Sequence, residues 1–289
     1  MITFFNQFHN GDCFVGKGWV RAMMAQLPDV HFRYAHNNPP EIVADLNCEN
    51  IGLGQIPRLD PRTKVGKDAD NNLYVNTWCG AWQGELFDYS SHSNFRIQHI
   101  MYQELARVIG SQLGREIVLD GTVEDYLPDI DFTRLQLHRQ QAFVEDVLDQ
   151  RRLILVCNGD VRSGQSDFGS MDSIIEGLST AFPDDVILAT QRTNIIGHNI
   201  FFTSDINNGG CDLNEVAWLG LHASAIIGKN SGPFTWCQNK AMLMKPKTFI
   251  SLSRKSTDVP MTDLELPAKL FTSPTPDPAL ALEFILEKL

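Results

Sequence analysis

The residues best equipped to act on a ligand fall in a few short segments. Asn230-Ser231-Gly232-Pro233-Phe234-Thr235 follows an apolar run, Ala225–Ile227, and leads straight into a helix-like stretch. Backbone N–H groups at a helix start lack intrahelical acceptors and together carry about half a positive charge, so a phosphate fits there. Ser231 and Thr235 add hydroxyls, Gly232 admits close backbone approach, and Pro233 suits a first helical turn. A well-capped strand-turn-helix with no ligand has the same grammar.

Asn158-Gly159-Asp160-Val161-Arg162-Ser163 ends the strand-like run Leu153–Cys157. There Arg162 can fork onto two phosphate oxygens and Ser163 can donate a hydroxyl. Gln191 and Arg192 end the next run, where they can approach a base or a pyrophosphate. Either arginine also reads as a solvated loop charge. Glu215, one turn into its helix, suits a ribose hydroxyl or a first-turn dipole partnership with Asp212. In Phe8-His9-Asn10-Gly11-Asp12, Asp12 is a candidate general base if burial raises its pKa, and equally a helix N-cap. His9 can pair with Asp12 or a phosphate, or simply be a surface residue. Trp78 and Trp82, four apart in Trp78-Cys79-Gly80-Ala81-Trp82, offer flat faces for a sugar ring or for core packing.

Alternating strand-like and helix-like runs decide where these segments lie. Ile2–Phe5 and His31–Ala35 read as strands around a helix carrying Trp19, Val20, Met23, Met24 and Leu27, which closes at Pro28. This is a βαβ unit whose first loop lies where parallel sheets carry ligands. From 36 to 94 the periodicity weakens, leaving one strand at Leu73–Thr77. The spacing predicts helices over Gln98–Leu113 and Asp131–Leu148, the second polar enough for a surface or connecting helix. From 151 the pattern restarts, with strands at Leu153–Cys157, Val186–Thr190, Asn199–Phe202, Ala225–Ile227 and Thr248–Leu252. Helices are predicted at Met171–Phe182, Leu213–Leu221, near Gly232 and at Ala279–Lys288. The fold class is α/β, in two halves, 1–150 and 151–289.

The segment 230–235, with the helix Asp212–Leu221 and the strand before it, resembles the C-terminal donor-site motif of the heptosyltransferase family of GT-B glycosyltransferases. The family pattern there is Asp-Ser/Thr-Gly-x-x-His; this chain has Asn230 and Thr235 at the first and last positions. Phe8–Asp12 and the helix ending Leu27-Pro28 are similar to the family's first loop. The resemblance covers these two ends and is absent between 36 and 130. It implies two Rossmann-like domains facing across a cleft, the first for the acceptor and the second for a nucleotide-diphospho-sugar. It implies metal-independent, inverting sugar transfer with no cofactor beyond that co-substrate. Asp12 falls at the position of the general base. Asn158, Gly159, Arg162, Ser163, Gln191, Arg192 and Asn230 to Thr235 (Asn230, Ser231, Gly232, Pro233, Phe234, Thr235) fall to the donor. His9, Asn10, Gly11, Trp78 and Trp82 fall to a glycan, lipid-linked or small-molecule acceptor. Lys17 and Trp19 replace a small, apolar helix face, implying a different acceptor. The missing acid and imidazole also suit a non-catalytic nucleotide-binding or interaction protein of the same build, and nucleotide-sugar epimerases share it.

Composition narrows the classes. Across 289 residues, 24 Lys+Arg against 35 Asp+Glu give a net charge of −11, which opposes nucleic-acid backbone binding. A 43% hydrophobic and 20% charged content supplies real cores and argues against disorder. No apolar run approaches the roughly 20 residues of a membrane-spanning helix. The N-terminus has no basic region ahead of an apolar one, and the six cysteines show no C-x-x-C spacing, so a cytoplasmic protein with free thiols is expected. There is no H-E-x-x-H, no G-x-G-x-x-G after the first strand, no Walker-type loop and no G-x-S-x-G.

Overall fold

The computed structural model describes residues 1–8, 10–37, 39, 42–88, 92–161, 166, 168–207, 212–252 and 264–289, in two compact units, Met1–Asp129 and Ile130–Leu289. In the first unit, β1 (Ile2–Phe5), β2 (Phe32–Ala35), β3 (Glu49–Ile51), β4 (Val65–Lys67) and β5 (Leu73–Asn76) form one sheet in the order β3-β2-β1-β5-β4. All pairs are parallel except β4 with β5. The central β1 is buried throughout, so even its one polar residue, Thr3, is enclosed.

Helix α1 (Asn10–Ala25) packs on α2 (Asn94–Leu113) through interleaved aromatics. Trp19 stacks on Tyr102 at 5.5 Å and donates its Nε1–H to His99 Nδ1 at 3.1 Å. Ser93 caps α2 by accepting from the Arg96 N–H, and Gly114 ends it at φ 64°, the left-handed turn glycine adopts freely. Lys17 and Trp19 therefore do not mark an acceptor surface, correcting that implication of the resemblance. Trp19 is fully buried, and Lys17, 3% exposed, is held by Asp45 at 3.0 Å and the Asp129 carbonyl at 2.9 Å.

The same helix crosses the backbone at Tyr126 through Gly18, where a Cβ would lie 2.0 Å from the Tyr126 carbonyl oxygen. On an open helix Gly→Ala gains about 1 kcal/mol. Here the obstacle is main chain that cannot step aside, so Gly18→Ala is expected to destabilise by on the order of 3 kcal/mol, measured by urea unfolding.

In the second unit, β6 (Leu153–Cys157), β7 (Val186–Ala189), β8 (Ile200–Phe202), β9 (Ala223–Gly228), β10 (Thr248–Ser251) and β11 (Lys269–Thr272) form a wholly parallel sheet, ordered β11-β10-β9-β6-β7-β8. The segment 130–150 belongs to this unit. It is not one helix but a 3₁₀ turn (Phe132–Arg134), a short α3 (His138–Phe143) and a π turn (Val144–Leu148). Gln140 Nε2 donates to Asn207 Oδ1 at 2.8 Å beside α5 (Thr203–Ile206), and Phe143 meets Phe201 edge-on. The division thus falls at 129/130, earlier than 150, because a polar helix pattern does not say which neighbour its apolar side will find. Helices α4 (Asp172–Ala181) and α9 (Pro278–Lys288) cover one sheet face with Ile174, Ile175, Leu178, Ala281 and Ile285. Between them in sequence come α6 (Leu213–Gly220), α7 (Gly232–Trp236) and α8 (Lys240–Leu243), and Phe234 of α7 packs edge-on against Phe249 of β10. Among the described residues, no helix is long and apolar enough to cross a membrane.

Candidate active site

Strand order singles out one edge position in each unit. In the first, the chain adds β2 and β3 on one side of β1 and then returns to place β5 on the other. In the second, it adds β7 and β8 beside β6 and then places β9 on the opposite side. The crevice outside the carboxyl ends at such a reversal, where neighbouring loops diverge, is where open parallel sheets bind ligands. The loops there follow β1 and β5 in one unit, and β6 and β9 in the other.

Asp12 occupies the first of these positions. It is the third residue of α1, so it is not the N-cap, and its first contacts come from other elements. Asp12 Oδ1 accepts from Gln98 Nε2 of α2 at 3.3 Å and from the Cys79 thiol after β5 at 3.8 Å. The residue keeps partial access to solvent, yet burial of the carboxyl dominates over both donors and pushes its pKa up to about 7. Burial also holds Tyr102 well above the usual phenol range, so its ring is a neutral neighbour. Gln98 is fully buried, and its Oε1 has no hydrogen-bond partner among the described residues. A carboxyl poised near neutrality in the first turn of a helix that follows β1 suits proton abstraction.

Asn10 and Gly11 open α1 beside Asp12, half-buried. The two tryptophans part ways. Trp78 is half-buried, with its ring 4.1 Å from that of Phe8, itself 41% exposed. Trp82 is 2% exposed, with the Lys64 ammonium over its ring at 4.6 Å, so its expected acceptor role is corrected to core packing. His9 lies outside the described residues.

In the second unit, the turn after β9 runs from Lys229 into α7. That helix has only five residues, so its dipole is small and the case for an anion rests on local donors. The Gly232 and Phe234 N–H groups have no intrahelical acceptor, being in the first turn. Ser231 is the N-cap, but its hydroxyl makes no cap bond; it is 6% exposed and without a partner among the described residues. Beyond the absent Cβ of Gly232, the closest atom is a Leu213 methyl at 3.5 Å, leaving the backbone approachable. Pro233 occupies the start of the helix as expected. Asn230 is half-buried and Thr235 is 9% exposed, while Phe234, 1% exposed, belongs to the core and not to a ligand surface.

The neighbouring loop is braced internally. Asn158 Oδ1 accepts from the Gln191 N–H at 2.7 Å and the Thr190 hydroxyl at 3.2 Å, and its Nδ2 donates to the Gln191 carbonyl at 2.9 Å. Its side chain is therefore spent on joining the ends of β6 and β7, which corrects its expected donor contact. Gly159 packs against the Gln191 side chain, which is exposed. Arg192 pairs with Asp205 of α5, its guanidinium 4.8 Å over the Phe202 ring, so it leans toward the edge strand β8 and away from β9. Arg162 and Ser163 lie outside the described residues. Asp212 caps α6 by accepting from the Asn214 and Glu215 N–H groups, and burial raises the pKa of Glu215.

Gln98, Cys79, Phe8 and Lys229 escaped the sequence reading. Gln98 had a signal, as a polar residue in the apolar stripe of Phe95, Met101, Tyr102 and Leu105. Lys229 had one too, a cation ending an apolar strand. Among the described residues, no three of His, Cys, Asp or Glu converge to hold a metal ion, and cysteines 13, 48, 79, 157 and 237 are free thiols.

No protein-family model matches the chain, and no curated protein matches it. Solved structures do. The ADP-heptose LPS heptosyltransferase II of E. coli is 11% identical with a TM-score of 0.50, over 100% of this chain and 99% of that one. A glycosyl transferase family 9 protein from Veillonella parvula is 11% identical with a TM-score of 0.52, over 99% and 90%. The E. coli heptosyltransferase WaaC with ADP-2-deoxy-2-fluoro heptose is 9% identical with a TM-score of 0.50, over 100% of both chains. With one mostly parallel and one wholly parallel sheet, each in an α/β unit, the chain has a GT-B-like fold.

Proposed function

We propose that this protein is a glycosyltransferase that moves a sugar from a nucleotide-diphospho-sugar to an acceptor hydroxyl, with Asp12 as general base. The observation that carries the reading is the Asp12 carboxyl, at the β1/β5 reversal with a pKa pushed up to about 7. The acceptor oxygen attacks the anomeric carbon from the face opposite the leaving group, its proton passes to Asp12, and the bond from carbon to the diphosphate oxygen breaks. The departing diphosphate would be stabilised by the first-turn N–H groups of α7 and the Ser231 hydroxyl after β9, without a metal ion. Trp78 and Phe8 offer stacking surface to an acceptor ring. Asn230 and Thr235, where the family pattern has Asp and His, favour a second reading as a nucleotide-binding protein without turnover.

One experiment separates them. Thermal shifts with adenosine, uridine, guanosine and cytidine diphosphates and their sugars should find a ligand that raises the melting temperature, by about 2.7 kcal/mol of stabilisation at a hundredfold excess over Kd. Release of the diphosphate from that sugar, lost in Asp12→Asn, supports transfer. Binding with no release supports the second reading, and no response to any of the ligands refutes both.

A further inference from the structure

Lys229 follows β9 directly, is 6% exposed, and is under-compensated. Its Nζ reaches the Gly169 carbonyl only at 3.4 Å and the Asp160 carboxylate only at 4.0 Å, and the Asp160 side chain is 93% exposed. Removing a cation from water is costly unless close, well-formed partners replace the lost hydration, and neither contact is close. Two residues along the same turn lies the buried hydroxyl of Ser231, unpartnered among the described residues. A buried cation and a buried free hydroxyl thus share the turn that flanks the β6/β9 reversal.

We propose that Lys229 is the cation that binds the donor diphosphate, with Ser231 as its hydroxyl partner. The ammonium then takes up the charge that collects on the diphosphate oxygen as its bond to the sugar breaks, and the exposed Asp160 yields its place to the ligand. This rests on the donor-site reading above.

The test is calorimetric titration of the whole chain with the four nucleoside diphosphates and their parent nucleosides, comparing wild type, Lys229→Met and Lys229→Arg. Lys229→Met should weaken the bound diphosphate by about tenfold or more. It should leave the nucleoside within about twofold, and it should melt higher than wild type without ligand because a buried, weakly compensated charge is gone. Lys229→Arg should retain most of the diphosphate affinity. Unchanged diphosphate affinity in Lys229→Met, or equal losses for diphosphate and nucleoside, overturns the proposal while leaving the donor site standing. Failure of wild type to bind any diphosphate overturns the donor-site reading itself. If the Met variant does not fold, Lys229→Gln is titrated against the same criteria.

Discussion

Asp12→Asn should lose sugar transfer by about 10²–10⁴-fold, the usual contribution of a general base, and yet be the more stable protein at neutral pH. Burial lifts the carboxyl from 3.8 to about 7, so between those values the folded chain holds a proton that the unfolded chain has released. Stability therefore falls as pH rises through that window, and the deficit is complete above about pH 7. At about 1.4 kcal/mol per pKa unit, the wild type gives up as much as about 4 kcal/mol that the Asp12→Asn variant would keep. Urea unfolding at pH 4 and pH 8 checks this: the two proteins should converge in acid and separate in base. Equal stability at both values would mean that the carboxyl is not desolvated, and the argument for it as a base at neutral pH would go with it.

The second large effect concerns an ion pair that the fold encloses. Asp45→Ala should destabilise by about 3–5 kcal/mol, while Lys17→Met should be close to neutral. Both remove the same contact, but only the first leaves Lys17 charged and 3% exposed without its directly paired carboxylate, with the Asp129 carbonyl and the Phe14 ring as its remaining close neighbours. Arg21 also pairs with Asp45, at 2.6 Å, but it reaches solvent and does not need the partner. Burial, more than any neighbour, lowers the Lys17 pKa, and Asp45 opposes that shift. The unfolded chain consequently binds the extra proton as pH approaches 10.5, so the deficit of Asp45→Ala should shrink on going from pH 7 to pH 9.5. Equal losses in the two variants would show that packing, not charge, sets the cost.

Much of the architecture was legible because parallel strands buried on both faces are near-continuous apolar runs. Leu153–Cys157 is such a run, and its bounds are those of β6. Ile2–Phe5, interrupted only by the buried Thr3, has the bounds of β1. Asp212 announced its helix because a side-chain acceptor at that point answers two free N–H groups. The short strands Glu49–Ile51 and Val65–Lys67 carry no such signal, being polar edge segments whose pairing is set by the sheet they join. Lys269–Thr272 was hidden for the same reason within a stretch read as loop.

The site was legible by residue type and not by partner. Trp78 and Trp82 look equivalent in the sequence, and only the turn at Cys79–Ala81 sends the second into the core. Arg192 looked free until Asp205, thirteen residues on, claimed it.

By itself, then, the sequence determined the alternation of strands and helices, the apolar runs that become central strands, and the strand-to-helix connections beside Asp12 and Ser231. Those are consequences of local periodicity and capping, which neighbouring residues settle among themselves. Only the tertiary structure decided that β5 returns beside β1 and β9 beside β6, that Gln98 and Cys79 close over Asp12, and that Lys229 is buried with weak partners. Strand order and desolvation depend on contacts between residues far apart in the chain, and a pKa or an unmet charge exists only once those contacts have excluded water.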